Sequence, residues 1–296
     1  MDLQKKKVAV IGALNVDIGA WPEGPLTRGD SIPGRVRSAL GGVGWNIARD
    51  CALLGAETAF FSLLGRDEQE HAIRAEASRL GISLAGCRWT DSPNNRYLYV
   101  CDEHGDVAAA VNDMALCHKM DEAFAAAIVP ALAGFDAVVA DANLPPETLI
   151  YLGETVKAPL AADCVSAAKC GRLRPILPCV HTLKANRLEA EALTGQTGPE
   201  DCARALLDAG VKRAVISLGA EGVLCAEGKR VFRQPSVAAE IVDATGAGDA
   251  LTAALAVGLA KGMTLEECAR LGVSAAGVTI SHPGSVTDAL RELTND

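Results

Sequence analysis

Asp243-Ala244-Thr245-Gly246-Ala247-Gly248-Asp249, followed at once by the apolar stretch Ala250 to Ala260, decides how this 296-residue chain is read. Small residues at 246 to 248 let the backbone turn tightly and aim its N–H groups outward, and a helix starting there adds the positive end of its dipole. Gly246, Ala247 and Gly248 are therefore expected to form an anion hole. A carboxylate just inside such a hole would repel a phosphate that was merely bound. Asp249 makes sense as a general base that takes a proton from an attacking hydroxyl while the amides hold the phosphoryl group in transit. A second glycine cluster, Gly41-Gly42-Val43-Gly44-Trp45-Asn46-Ile47-Ala48, opens another helix. Its spacing is not G-x-G-x-x-G, which argues against a dinucleotide site. Close backbone approach to a polyhydroxylated ligand at Gly41 and Gly42, with Asn46 offering both a donor and an acceptor, fits better.

Outward from these segments, short apolar runs alternate with helical stretches. Val8 to Ile11, Ala137 to Ala140, Leu160 to Asp163, Thr182 to Lys184 and Ala214 to Ser217 read as strands. Helices are expected over 44–54, 68–80, 121–131, 187–193, 200–209, 248–260 and 265–279, several stopped by Gly55, Gly81, Gly210 or Gly262. That alternation is the pattern of parallel strands covered by helices on both faces. Segments 18–38 and 87–111 break it and read as a small β-rich flap, with a hairpin at His104-Gly105. No repeat or linker appears, so the whole of 1–296 is expected to be a single domain.

Composition narrows the partners. The formal charge of −9 argues against nucleic-acid backbones and anionic membranes, both of which reward a basic face. The longest apolar candidate, 124–139, is broken by Pro130 and Asp136 and falls short of a membrane span. Ten cysteines lie scattered without a C-x-x-C pair, which reads as reduced thiols in a cytoplasmic protein.

The two glycine segments resemble the N-terminal and C-terminal signatures of the PfkB, or ribokinase-like, carbohydrate kinases, over essentially the whole chain. The resemblance implies a three-layer α/β/α fold with a central, mostly parallel sheet and an inserted β lid, and phosphoryl transfer from ATP to a sugar hydroxyl. Asp249 takes the place of the catalytic base, and Gly246, Ala247 and Gly248 that of the anion hole. No Walker G-x-x-x-x-G-K-[ST] sequence is present, in agreement with this family. Asn15 and Asp17, in Gly12-Ala13-Leu14-Asn15-Val16-Asp17, fall where relatives bind vicinal hydroxyls. Lys184-Ala185-Asn186-Arg187-Leu188-Glu189 resembles the N-x-x-E motif, which implies that Asn186 and Glu189 organise Mg2+ largely through water; read unaided, the pair is a capped helix start. Lys184, Ser217, Gly219, Gly222, Thr245, Gly246 and Gly248 complete the implied ATP side. Asp243 and Thr245, with the loop 281–285, match positions where many relatives bind a monovalent cation such as K+.

Within the family, segments 30–34, 110–114, 163–170 and 181–191 look like the pseudouridine-kinase branch, which implies transfer to the 5′-hydroxyl of that nucleoside; a ribokinase-, adenosine- or fructose-type kinase is the alternative, sharing the ATP side and differing in the lid and first-strand pocket. One departure is Cys164, where proline often follows the Asp. Pseudouridine carries an extra base N–H, so an acceptor near it is needed, and Ser31, Asn112 or Asp113 are the candidates. Lys169 is a candidate pocket or phosphate contact. Tyr97-Leu98-Tyr99-Val100 alternates so as to leave apolar side chains for the pocket or for a partner lid, and lid pairing in a homodimer is expected, as in many relatives.

Overall fold

The computed structural model describes residues 5–294. Its first strand, β1 (Lys7–Ile11), shows why a strictly apolar run suits this sheet: Ala9 and Ile11 enter one core while Val8 and Val10 enter another on the opposite face. A strand buried on both sides has no use for polar alternation. The chain then leaves the main body through β2 (Asn15–Pro22) and β3 (Gly34–Gly41) and returns into α1 (Val43–Leu53) and β4 (Glu57–Phe61). After β5 (Leu63–Gly65), α2 (Glu70–Leu80) and β6 (Arg88–Thr90), it leaves again through β7 (Asn95–Cys101) and β8 (Val107–Asp113). The remainder runs α3 (Glu122–Leu132), β9 (Ala137–Asp141), α4 (Pro146–Thr155), β10 (Leu160–Asp163), β11 (Val180–Asn186), α5 (Arg187–Thr194) and α6 (Pro199–Asp208). It closes with β12 (Arg213–Ser217), β13 (Val223–Glu227), β14 (Arg230–Gln234), α7 (Ala247–Ala260) and α8 (Leu265–Ile280).

Eight strands form the main sheet in the order β14-β13-β12-β11-β10-β9-β1-β4. All neighbours are parallel except β12-β13 and β13-β14, which make an antiparallel edge. One face is covered by α3, α4, α5 and α6, the other by α1, α2, α7 and α8. This is a three-layer α/β/α arrangement, and such sheets expose their ligand sites at the carboxyl ends of the parallel strands. Gly55, Gly81, Gly210 and Gly262 all adopt positive φ just past a helix, where a side chain would strain the turn.

A second sheet, β3-β2-β7-β8, stands off the body. The flap expected at 18–38 and 87–111 falls partly within it, but with different bounds. Its strands begin at Asn15 and Asn95 and run to Gly41 and Asp113, while 88–90 pairs with β5 in a separate two-stranded ribbon. Two buried asparagines fix its root. Asn94 Oδ1 accepts from Gly65 N at 2.9 Å and its Nδ2 donates to Asp67 Oδ1 at 2.7 Å. Asn95 Nδ2 donates to Leu14 O at 3.0 Å and its Oδ1 accepts from Cys117 N at 2.9 Å, so one side chain joins the first and last crossings between body and flap.

Among the described residues no helix is long and apolar enough to cross a membrane. All ten cysteines carry free thiols.

Candidate active site

The N-terminus of α7 is built as its sequence demands. Gly246 caps it at φ 82°, and an added Cβ there would fall 2.0 Å from Ser285 O, so only glycine allows the loop 281–285 to close against the turn. Asp249 sits in the first turn, partly open to the cleft, and its Oδ2 accepts from Asn46 Nδ2 at 2.8 Å. The two glycine segments, 203 residues apart in sequence, thus meet in one hydrogen bond. Asn46 is itself fixed, because its Oδ1 accepts from Arg49 at 2.6 Å and from Ser285 Oγ at 3.2 Å.

Burial, reinforced by the charge of Asp163, pushes the Asp249 carboxyl up to about 7; the Asn46 bond and Lys184 oppose this. A carboxylate with that proton affinity is a stronger base than an exposed one and is still ionised near neutrality. Its neighbours lie at adjacent strand ends. Asp163, last in β10, accepts from Val165 N at 2.7 Å and Thr252 Oγ1 at 2.5 Å, and pairs with Lys184 Nζ at 3.3 Å. Val165 holds φ 63°, costly for a β-branched residue, so the turn that fixes Asp163 stores strain. The Cys164 N–H donates to Lys184 O at 3.2 Å, a bond that proline at this position would forfeit. Burial alone would lower the Lys184 pKa, but Asp163, Glu189 and Asp249 outweigh it and hold the ammonium protonated. Asp141, last in β9, is pushed up to about 7 by burial, and its Oδ2 has no hydrogen-bond partner.

Asp17 lies under Gly41, and burial lifts its carboxyl to about 6 against the pull of Arg49. Gly42 has φ 95°, and a Cβ on it would press on Ala13 O at 2.8 Å and Asn15 N at 2.9 Å. Register places Asp17, Tyr97 and Asn112 in one cross-strand row, so their side chains share a face of the small sheet. Asp113 pairs with Arg96 in the next row and therefore turns to the other face, where its Oδ1 accepts from Ala115 N. Ser31 is exposed on the loop between β2 and β3, with no side-chain bond to the cluster. Lys169 is not free either, since Nζ donates to Asn143 Oδ1 at 2.6 Å.

Asn186 and Glu189 form a complete capping box on α5, with bonds of 2.7, 2.8 and 2.9 Å between them. No group of three His, Cys, Asp or Glu side chains among the described residues could cage an ion. Glu189 is buried and both its oxygens are engaged by Asn186, so the pair would meet an ion only through water, as magnesium's retained hydration allows. Asp243 accepts from Thr245 N at 2.9 Å and Gly284 N at 3.1 Å, and these bonds hold its carboxyl below the usual range against the effect of burial.

Beside the start of α7 opens a cavity of about 540 Å³. Ser217, Gly219 and Gly222 line one wall, Ala247 and Gly248 the end nearest Asp249, and Leu251, Val273 and Ile280 an apolar side. An added Cβ on Gly248 would sit 2.8 Å from Lys184 Nζ, so glycine lets the ammonium approach the first turn of α7. The residues that sequence reasoning missed here are Arg49, Asp141, Asn143 and Asp163 as members of the site; the one available signal was Asp ending two successive apolar strands.

The sequence pattern described as pfkB family carbohydrate kinase matches residues 5–292. A pseudouridine kinase of Escherichia coli K12 is 32% identical over 287 residues, covering 94% of this chain and 91% of its own. A cytidine kinase of Thermococcus kodakarensis is 31% identical, covering 91% and 94%. Arabidopsis thaliana ribokinase, solved with ribose and ATP, superposes with a TM-score of 0.88 at 24% identity over 99% of this chain and 100% of that one.

Proposed function

The chain belongs to the pfkB family of carbohydrate kinases, and from that premise we propose that it transfers the γ-phosphoryl group of ATP to the 5′-hydroxyl of pseudouridine. The observation that carries the reading is Asp249 itself. It is a carboxyl lifted to about 7, held by Asn46 at the start of α7, at the end of a cavity walled by Ala247 and Gly248. A hydroxyl brought to Asp249 loses its proton to the carboxylate, while N–H groups of the turn and the Lys184 ammonium face the charge on the phosphoryl oxygens. Magnesium, when bound near Asn186 and Glu189, neutralises phosphate charge. The 540 Å³ cavity, apolar on one side and glycine-lined on the other, suits the nucleotide.

The small sheet takes the part of a lid over the acceptor. Asp17 accepts bonds from ribose hydroxyls, and Asn112, two strands away on the same face, is the candidate to read the extra base N–H of pseudouridine. Asp113 is less suited to that role, because it turns to the outer face, and Ser31 lies on the loop between β2 and β3 rather than in the row of Asp17. Similarity to the Escherichia coli pseudouridine kinase across nine-tenths of the chain supports the choice of acceptor. The outer face of the lid carries exposed Val36, Leu98 and Val111, an apolar surface that suits a second copy of this chain. We also place the enzyme in the cytoplasm, with its thiols reduced, and include a monovalent cation at Asp243 and Thr245 as part of the proposal.

The test is ADP release over pseudouridine, uridine, cytidine, adenosine and ribose, with Asp249→Asn as the control. Pseudouridine is expected to give the highest kcat/KM, and the variant to lose about 10²- to 10⁴-fold in kcat with nucleoside binding retained. Near-normal turnover by the variant would reject Asp249 as the base. A preference for another acceptor would reject pseudouridine alone.

A further inference from the structure

Arg49, on α1 three residues past Asn46, directs its guanidinium at neutral oxygens. One terminal nitrogen donates to Asn46 Oδ1 at 2.6 Å and to Leu40 O, at the end of β3, at 3.0 Å, with Ser285 Oγ farther off at 3.5 Å. That nitrogen has two hydrogens, and the two short bonds use both. The Ser285 hydroxyl then donates to Asn46 Oδ1 at 3.2 Å. A guanidinium can only donate, so the Asn46 oxygen must face it and Nδ2 must face Asp249, where it lies 2.8 Å from Oδ2. Turned over, the amide would set donor against donor at Arg49 and acceptor against carboxylate at Asp249. Asn46 is 6% exposed, so solvent would relieve neither conflict.

We propose that Arg49 is a positioning residue, which fixes the Asn46 amide so that Asp249 meets a hydrogen-bond donor at every stage of the reaction. The proposal rests on the reading of Asp249 as the base. A carboxylate that has taken the acceptor's proton becomes a donor itself, and an amide free to turn would then offer its oxygen and hold the proton in place. Arg49 keeps that oxygen occupied. The amide therefore favours the ionised carboxylate over the protonated acid, and the proton passes on to solvent more readily.

The pH profile of kcat in Arg49→Met decides this, since the other charged groups that face Asp249 stay in place: Lys184 of β11, Asp163 of β10, Asp141 of β9 and Asp50 of α1. Loss of the lock lets the amide serve the protonated acid, so the midpoint, about 7 in the wild type, is expected to rise by about one unit. Turnover at saturating substrates then falls about fivefold at pH 7 and returns to within about twofold of wild type at pH 9. Arg49→Lys, whose ammonium also only donates, should restore most of the midpoint, and Arg49→Gln, which can donate or accept, should not. In an Asn46→Ala background, Arg49→Met should move the midpoint by less than about half as much, because the amide it positions is gone. A uniform loss of kcat from about pH 6 to 9 with the midpoint kept would make Arg49 merely structural and overturn the proposal. An equal shift with and without Asn46 would show the charge acting on Asp249 directly and overturn it as well. Should Arg49→Met not fold, Arg49→Gln carries the same comparison. Asp249→Asn separates this role from the reading beneath it. If that variant keeps near-normal turnover, the base assignment falls; if it is inactive while the Arg49→Met profile is unmoved, the base stands and the positioning role alone is lost.

Discussion

Gly41 to alanine is the substitution that isolates the acceptor carboxylate. Gly41 does not hold positive φ, so alanine strains no backbone there. What it meets is Asp17: the new Cβ would fall 1.9 Å from Oδ2 and 2.8 Å from Cγ. Contacts of this kind do not close below 3.0 Å, so the carboxylate must retreat by at least about 1.1 Å. A hydrogen bond of ordinary length, stretched that far, ceases to be one. A bond to a charged group is worth about 1.5–3 kcal/mol net, so losing one raises KM for the nucleoside by about 10- to 150-fold. The cavity proposed for ATP is not lined by Asp17 or Gly41, so the KM for ATP should stay within about twofold. Stability should hold or rise by about 0.4–1 kcal/mol, since alanine restricts the unfolded chain. The assay is coupled ADP release at saturating ATP, paired with a thermal melt. A folded variant whose nucleoside KM stays within twofold of wild type would refute Asp17 as the residue that holds the acceptor.

Turnover should also follow the ionisation of Asp249. With its carboxyl near 7, the basic form grows from about a tenth at pH 6 to about nine-tenths at pH 8, so kcat should rise close to tenfold across that interval and then level off; a profile flat from pH 5.5 to 8 would count against it. Asp50 on α1 is fully buried with both oxygens unpartnered, and burial, helped by the charge of Asp249, raises its pKa well above the ordinary value. The folded state therefore binds a proton that the unfolded state releases above pH 4, and stability drains as pH climbs toward the folded pKa, by about 1.4 kcal/mol for each unit traversed. Asp50→Asn should consequently raise the melting midpoint more at pH 8 than at pH 5, and equal shifts at both would contradict the account. On the outer lid face, Leu98→Asp with Val111→Asp should convert a dimer to monomers in sedimentation velocity; wild type sedimenting as a monomer would exclude lid pairing.

Much of the fold was legible because it is written locally. The runs ending at Ile11, Ala140, Asp163 and Ser217 are strands as read, and the helices expected from 44–54 to 265–279 agree to within a few residues. The failures have identifiable causes. Pro145-Pro146 looks like a breaker, yet Pro146 occupies the first turn of α4, where a missing N–H costs nothing. The β13-β14 hairpin, turning on Gly228-Lys229, is not evident locally, because β13 is a buried apolar run of only four residues before Glu227 and β14 mixes charge with apolar residues at the sheet edge. At the candidate site, Asp249 and Asn46 stand out in the sequence because each lies in a contiguous glycine motif, and the structure brings the two together in a hydrogen bond. Arg49, Asp141 and Asp163 do not, because their importance arises from contacts such as Thr252 with Asp163 across 89 residues, which no local window contains. Lys169 is expected as a pocket or phosphate contact; the structure shows it bonded to Asn143, which lies 26 residues away past a different strand.

The asparagine rivet at the root of the lid sets how its contacts respond to motion. Asn15 pairs with Asn95 at that root, Asp17 follows two residues along β2 and Trp21 six, or about 7 and 20 Å out. A tilt of some 10° about the rivet displaces Asp17 by about 1 Å but sweeps Trp21 through about 3.5 Å. Ligand groups gripped near the fulcrum meet a stiff surface and those gripped farther out a compliant one. One scaffold of this shape can keep an exacting hold on the part of a ligand near its root while its outer reach yields to parts of different size.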